Sequence, residues 1–272
     1  MADLSAITPD HINQIPVDPQ GSVSETADGT GYFIAQGSVI LVAENAETRF
    51  IGVGITEGEF TESGNGEENG NGEEFTCGDT FTDTRDGQTY KTVQIGDQCW
   101  MAEDLRYDCS QAGYNNIGKD EDWSGSDNCG EVPSYDNIHY QWDVAMDGST
   151  TEGAQGLCPD GWYVPTDGEW TDLETYLSNN GYSGVEGDAL KDPAEGWCDS
   201  GTCGGTGFLA LPGGSRSTSG SLYYVGSRGD WWSSTEDDGT LAWRRVLRSS
   251  SSDFYRYSGY KDGGYSVRCL RD

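Results

Sequence analysis

The chain has 272 residues, enough for one large domain or a small one joined to a medium one, and carries 47 acidic against 15 basic side chains, a net charge of −32. That charge excludes generic binding to nucleic acid or insertion at an anionic membrane, since both need a concentrated positive field, and no apolar run approaches the ~20 residues of a membrane span. Nine Trp, 15 Tyr, 7 Phe and 8 Cys supply a core and staples, so the acidity does not signal disorder, and 40 Gly point to turns rather than long helices.

Residues 1–60 hold no Cys and no Trp. Their one apolar region reads as two or three strands, Tyr32–Ala35, Ser38–Ala43 and Arg49–Ile55, bounded by Gly and Asn. A core that small needs support, so this all-β piece is expected to form a homo-oligomer or to dock on something larger. The opening MADLSAITPD lacks the basic and apolar segments of a secretory leader. Either a leader was removed, or the protein leaves the cell another way, for example on a particle released by lysis, which is the reading favoured. Residues 61–74, TESGNGEENGNGEE, hold five Glu, four Gly and no base, and read as an acidic, flexible linker.

Residues 75–272 carry every Trp and every Cys. TYKTVQI, Thr89–Ile95, alternates like a strand. Asp120–Glu131 matches the spacing of a calcium loop, with Asp120, Asp122, Ser124, Ser126, Asn128 and Glu131 at the ligand positions and Gly125 at the turn. Calcium is thus the one ion suggested, as a structural site, with a plain acidic surface loop as the alternative. A short helix is expected over Asn137–Met146. A longer one is expected over Thr166–Asn180, where Thr166 and Glu169 make a capping box, Trp170, Leu173 and Leu177 share a face, and Gly181 ends the run. After about Cys203 the pattern is short strands and glycine turns, so the fold class is α+β.

The even number of cysteines, Cys77, Cys99, Cys109, Cys129, Cys158, Cys198, Cys203 and Cys269, falls in no paired CxxC blocks, and His11 and His139 are the only histidines. Disulfides are therefore preferred to zinc.

Charge is uneven. Residues 216–272 hold nine Lys/Arg against seven Asp/Glu, a balance of +2, whereas residues 1–215 hold six against forty, a balance of −34. Within Arg244–Tyr260, RRVLRSSSSDFYRYSGY, stand four Arg, five Ser and three Tyr, without Lys, Glu, Gln or Asn. Tyr offers large amphipathic contacts, Arg forked donors and Ser adaptable fillers, the composition of a paratope; an exposed Ser-rich hairpin is the alternative. Strand alternation sets Arg244, Val246 and Arg248 opposite Trp243, Arg245 and Leu247. After a turn at Ser249–Ser252, Asp253, Tyr255 and Tyr257 share a face, with Phe254 and Arg256 on the other. Trp243, Leu247 and Phe254 would point inward.

TFTDTRDGQTYKTVQIGDQCWMAEDL (80–105), TTEGAQGLCPDGWYVPTDGEWTDLETYL (150–177) and the C-terminal WWSSTE, AWRRVL and GGYSVRCLRD resemble the Fibrobacter succinogenes major paralogous domain over about 75–272. That family looks like a branch of the C-type lectin fold, close to the formylglycine-generating-enzyme subtype, and the C-terminal block is similar to the variable region of proteins diversified by retroelements. The resemblance implies a disulfide-stapled lectin-like frame, with Cys77 joined to Cys99 and Cys158 to Cys269; of the other four, Cys198 and Cys203 would close a short loop and leave Cys109 with Cys129, a pairing that eight cysteines leave open. It implies a variable region over about 215–270 on a fixed scaffold of Trp231–Glu236, Ala242–Trp243 and Tyr265–Arg271. In such regions adenine-directed rewriting of Asn codons reaches Ser, Arg, Tyr, Asp, Gly, Leu, Phe and Val but not Lys, Glu, Gln, Met or Trp, and Arg244–Tyr260 obeys that restriction. The implied ligand contacts are Tyr223, Tyr224, Asp230, Asp237, Asp238, Leu241, Arg244, Val246, Arg248, Ser250, Asp253, Tyr255, Tyr257 and Tyr260. The linker and N-terminal piece lie outside the resemblance.

The function implied is recognition of a protein or glycan receptor on a host or neighbouring cell, from a virion or cell surface. A fixed-specificity lectin or adhesin is the alternative. Catalysis is not expected: neither histidine sits in a nucleophile motif, nothing singles out two carboxylates, and no cofactor is required.

Overall fold

The computed structural model describes residues 24–25, 31–35, 38–41, 52–53, 75–114, 117–118, 129–198 and 201–272. The chain divides into two compact units, residues 1–64 and 65–272. In the first, β1 (Ser24–Glu25), β2 (Gly31–Ala35), β3 (Ser38–Leu41) and β4 (Gly52–Val53) form an antiparallel meander in chain order. Ala35 pairs with Ser38 at the end of the β2–β3 ladder. β1 lies upstream of the apolar region and has no alternation to announce it. Residues 42–43, 49–51 and 54–55 of the expected strands, and the acidic linker, lie outside the described residues.

The second unit begins with β5 (Thr80–Thr82), β6 (Thr89–Ile95) and β7 (Gln98–Met101). The expected strand at Thr89–Ile95 is present. Tyr90 and Thr92 point to one face and Ile95 to the other, and all three are buried, so this strand is covered on both sides. Ile95 pairs with Gln98 across a two-residue turn in which Gly96 has φ +63° and lies against the Tyr176 ring, so that a Cβ there would strike it. β8 (Ile117–Gly118), β9 (Cys129–Val132) and β10 (Asn137–Tyr140) form a small sheet, followed by helix α1 (Trp142–Ala145).

This corrects the helix expected over Asn137–Met146. All four residues of β10 are buried, so the segment has no polar face to turn to water. Its backbone pairs with β9, and Tyr140 bridges Tyr265. Extended Gln141, with ψ 152°, separates strand from helix.

β11 (Trp162–Tyr163) leads into α2 (Asp167–Leu177). The Thr166 hydroxyl accepts from the Glu169 amide at 3.1 Å, and the Glu169 carboxylate accepts from the Thr166 amide at 2.8 Å, completing the capping box. Trp170, Leu173 and Leu177 are buried. The regular helix stops three residues short of Asn180: residues 178–182 make one wider turn, in which Gly181 has φ +99°. α3 (Glu186–Leu190) follows, then β12 (Ser215–Arg216) and β13 (Leu222–Tyr223). β14 (Arg228–Glu236), β15 (Leu241–Arg248) and β16 (Ser251–Tyr260) are nine, eight and ten residues long, so the short strands expected after Cys203 give way to one long three-stranded sheet. β17 (Leu270–Arg271) closes the chain.

β11, β17, β7, β6 and β5 form, in that order, an antiparallel sheet that curls as a half-barrel. Two apolar clusters fill the unit. One joins Trp100, Trp170, Phe208, Trp231, Leu247 and Phe254 between α2, the half-barrel and the β14–β16 sheet. The other surrounds Tyr90, Trp142, Trp162 and Trp232. Disulfides join Cys77 to Cys99 and Cys158 to Cys269, as the resemblance implies, and Cys198 to Cys203 and Cys109 to Cys129, the pairing expected for the remaining four. The fold is therefore a disulfide-stapled α+β domain. Among the described residues no helix is long and apolar enough to cross a membrane.

Candidate functional site

Register fixes which side chains of the β14–β16 sheet share a face, because directly paired residues point the same way. Asp230 pairs with Val246, and Val246 with Tyr255. Trp232, Arg244 and Tyr257 form the next row, and Arg228, Arg248 and Ser251 the row on the other side. The opposite face carries Trp231, Arg245 and Arg256 in one row and Trp243 with Ser258 in another.

That second face is the inner one. Leu247 and Phe254 are buried against α2, and Arg245 reaches Glu174 at 2.7 Å and the Thr171 hydroxyl at 2.6 Å. Trp243, expected inward, is only half-buried: it lies near the start of the central strand, and Arg256, held at 2.7 Å by Asp167, covers its ring.

The first face has two tiers. Asp230 and Val246, both expected as contacts, are buried and form its floor. Arg228 bonds the Asp230 carboxylate at 2.6 Å, and Arg244 pairs with the same oxygen from the adjacent row. Burial pushes the Asp230 carboxyl above its ordinary value, opposed by the charges of Arg244 and Arg228. Above this floor lie Arg248, Tyr255 and Tyr257. The two rings stack 5.8 Å apart at 19°, and the Arg248 guanidinium rests over them at 4.6 and 5.4 Å. The Tyr255 hydroxyl donates to Ser251 at 2.9 Å, and the Ser251 hydroxyl to exposed Asp253 at 3.0 Å. Tyr265 closes the Trp232 end of the face, leaving the Arg248 end open.

The remaining expected contacts fall in other places. Tyr223 and Tyr224 are exposed, with rings 6.1 Å apart, and Arg228 lies 5.1 Å over Tyr224, which joins this pair to the open face. Asp237, Asp238 and Leu241 belong to the β14–β15 turn, at the far end of β15, seven strand steps or about 23 Å from Arg248. Asp238 accepts from the Thr240 amide at 2.7 Å and the Leu241 amide at 2.9 Å, and those bonds hold its carboxyl low; it shapes its own turn. Leu241 and Tyr260 pair with each other on the Trp243 side of the sheet. The fourteen residues thus divide between an open cluster at the β15–β16 end and a separate group at the opposite end. Ser250, exposed at the β15–β16 turn, belongs to the first.

Sequence reasoning missed what holds that turn. Fully buried Lys191 donates to Asp188 at 2.5 Å and to the carbonyls of Arg248 and Ser251 at 2.7 and 2.9 Å. Asp188 also accepts from the Ser252 hydroxyl at 2.7 Å. Gly187 lies so close beneath Asp253 that a Cβ would strike the Asp253 carbonyl. From the other side, the Ser249 amide donates to the Ser227 carbonyl at 2.8 Å. Nearly all of these contacts are to main-chain atoms. Arg228 was also missed, although its spacing from Asp230 places both on one strand face.

Of the calcium-loop residues, Asp120, Asp122, Ser124, Ser126 and Asn128 lie outside the described residues; Glu131 lies in β9, paired with Ile138. Among the described residues, Asp108, Cys109 and Cys129 bring potential metal-ligand atoms within 4.8 Å, but the two sulfurs are joined in a disulfide, which removes the thiolates a metal needs. His11 lies outside the described residues. His139 is fully buried with neither ring nitrogen bonded, and burial, aided by the charge of Arg216, lowers it to about 3.

A family model for the Fibrobacter succinogenes major domain matches residues 93–271, which include the half-barrel strands β7, β11 and β17, both main helices and the whole β14–β16 sheet. The chain belongs to this family. The Fibrobacter succinogenes major domain here therefore contains the open Arg/Tyr face and its main-chain clamp, while residues 1–92 lie outside the match. No curated protein and no solved structure matches the chain.

Proposed function

We propose that this chain is a receptor-recognition protein that displays a variable surface, spanning about 215–270, on a C-type lectin-like frame of the formylglycine-generating-enzyme subtype. The observation that carries the reading is the open end of the β14–β16 sheet. Arg248, Tyr255 and Tyr257 stand clear on a hairpin whose turn is gripped through main-chain oxygens by buried Lys191. A hairpin held that way accepts new side chains without losing its shape, as a diversified site requires. Four disulfides suit an extracellular frame, and the reading places the protein on a virion or cell surface, with residues 1–60 as its attachment or oligomerisation piece. Its role is binding, not catalysis.

The DNA flanking the gene tests this. A near-copy of the codons for about 215–270, differing almost only where the copy has adenine and lying beside a reverse transcriptase, is the expected finding. Without such a repeat the diversification falls and a fixed-specificity adhesin remains.

A further inference from the structure

Three guanidiniums, those of Arg228, Arg244 and Arg248, rise from one face of the β14–β16 sheet. Arg228 and Arg244 share a single oxygen of buried Asp230, and their side chains keep only 16% and 14% of their surface exposed. One carboxylate between two cations leaves a positive charge that is poorly hydrated. Arg248 has no carboxylate within ion-pair distance among the described residues; its hydrogen bond goes to the Tyr257 hydroxyl at 3.3 Å. In a chain with 47 acidic side chains against 15 basic ones, composition works against such an arrangement. Of the acids on this face, Asp230 is shared by Arg228 and Arg244, and Asp253 is engaged with Ser251.

The aromatic pair beneath Arg248 orients it. A guanidinium laid on stacked rings keeps its planar donor edge outward, in the geometry that meets a carboxylate with two parallel bonds. Tyr257 accepts from Arg248, so its own hydroxyl proton is available to a ligand. Val246 is covered, whereas Val225, next to Tyr224 at the margin of the face, is exposed. Around Arg248 the face offers flat aromatic rings and a guanidinium rather than an aliphatic pocket. Flat tyrosine surfaces beside anion-ready arginines fit sugar rings that carry carboxylates.

Resting on the receptor-recognition reading, we propose that the open end of this face binds an acidic glycan, with Arg248 as the anchor for a sugar carboxylate and Tyr255 and Tyr257 as the platform for the ring. The strongly acidic remainder of the chain repels such a polymer everywhere else, which restricts its approach to this face.

Titration calorimetry of the full chain against oligogalacturonate, its methyl ester and polyglutamate tests the proposal. Oligogalacturonate is expected to bind, and the uncharged ester at least tenfold more weakly. Arg248→Gln, which keeps the carbonyl that Lys191 holds, should weaken binding at least tenfold, while Lys91→Gln on a distant exposed position leaves it unchanged. Equal affinity for polyglutamate overturns the sugar specificity. Undiminished binding by Arg248→Gln, or no binding of oligogalacturonate, overturns the site. Those outcomes leave the display reading intact if the adenine-marked repeat is found beside the gene, so the two ideas fail separately.

Discussion

A fully buried imidazole with no hydrogen-bond partner is held neutral at a measurable cost. Burial lowers His139 to about 3, against 6.5 for the free side chain. Between those values the unfolded chain takes up the proton and the folded protein does not. Its stability contribution is therefore complete above about 6.5 and declines as pH falls toward 3, by about 1.4 kcal/mol per unit. His139→Phe removes this linkage, so between pH 7 and pH 5 the variant should lose roughly 2 kcal/mol less stability than the parent in urea titrations; identical losses would assign the acid sensitivity to other groups. Residue by residue, the sequence marked the open cluster and the buried floor alike. Alternation alone placed Arg244, Val246 and Arg248 together, but burial depends on what folds over a side chain. Val246 and Asp230 are hidden by long arginines from neighbouring rows, a fact set by cross-strand register rather than by spacing within one strand.

At the scale of elements, α2 was legible because its cap, apolar face and exit are all local. β10 was not, since NIHY is a strand only through partners on β9 and at Tyr265, which periodicity does not reveal. The clamp on the β15–β16 turn was hidden for the same reason: Lys191 lies 57 positions from Arg248. Its role separates two classes of substitution. Lys191→Met leaves Asp188 buried without its cation and should destabilise the domain by about 3–5 kcal/mol. Ser250→Tyr adds a large side chain on the solvent side of the turn and should change stability by less than about 0.5 kcal/mol. Comparing urea midpoints of the two variants checks the contrast. A Ser250→Tyr loss approaching that of Lys191→Met would mean that the turn is held by its side chains and is poorly suited to variation.

Across the whole domain, long-range polar ties bind the half-barrel to the β14–β16 sheet, and disulfides staple the frame. Asp104 accepts from Arg268 Nε at 2.8 Å, Trp231 at 2.7 Å and Asn137 at 3.0 Å, joining the inner face of the β14–β16 sheet to the C-terminal segment and to β10. Cys158–Cys269 ties the segment before α2 to the end of the chain over 111 residues, whereas Cys77–Cys99 closes only 22. Composition made disulfides legible, and the family resemblance supplied the partners of Cys77 and Cys158; spacing alone leaves many pairings open. Loop-closure entropy makes the two bridges unequal, at about 5 kcal/mol for the long loop against about 3 kcal/mol for the short one. The Cys158→Ser/Cys269→Ser double variant should therefore unfold at lower urea than Cys77→Ser/Cys99→Ser. The long bridge also sits inside an apolar cluster beside Met146, Trp162 and Val267, so its loss loosens packing as well as connectivity. If the short bridge proved the more costly, the stability of the frame would reside in the β5–β7 hairpins rather than in closure of the whole domain. The β14–β16 sheet would then be an independently stable layer, and shortening the chain from its N-terminal side would damage the frame more than opening it at Cys269.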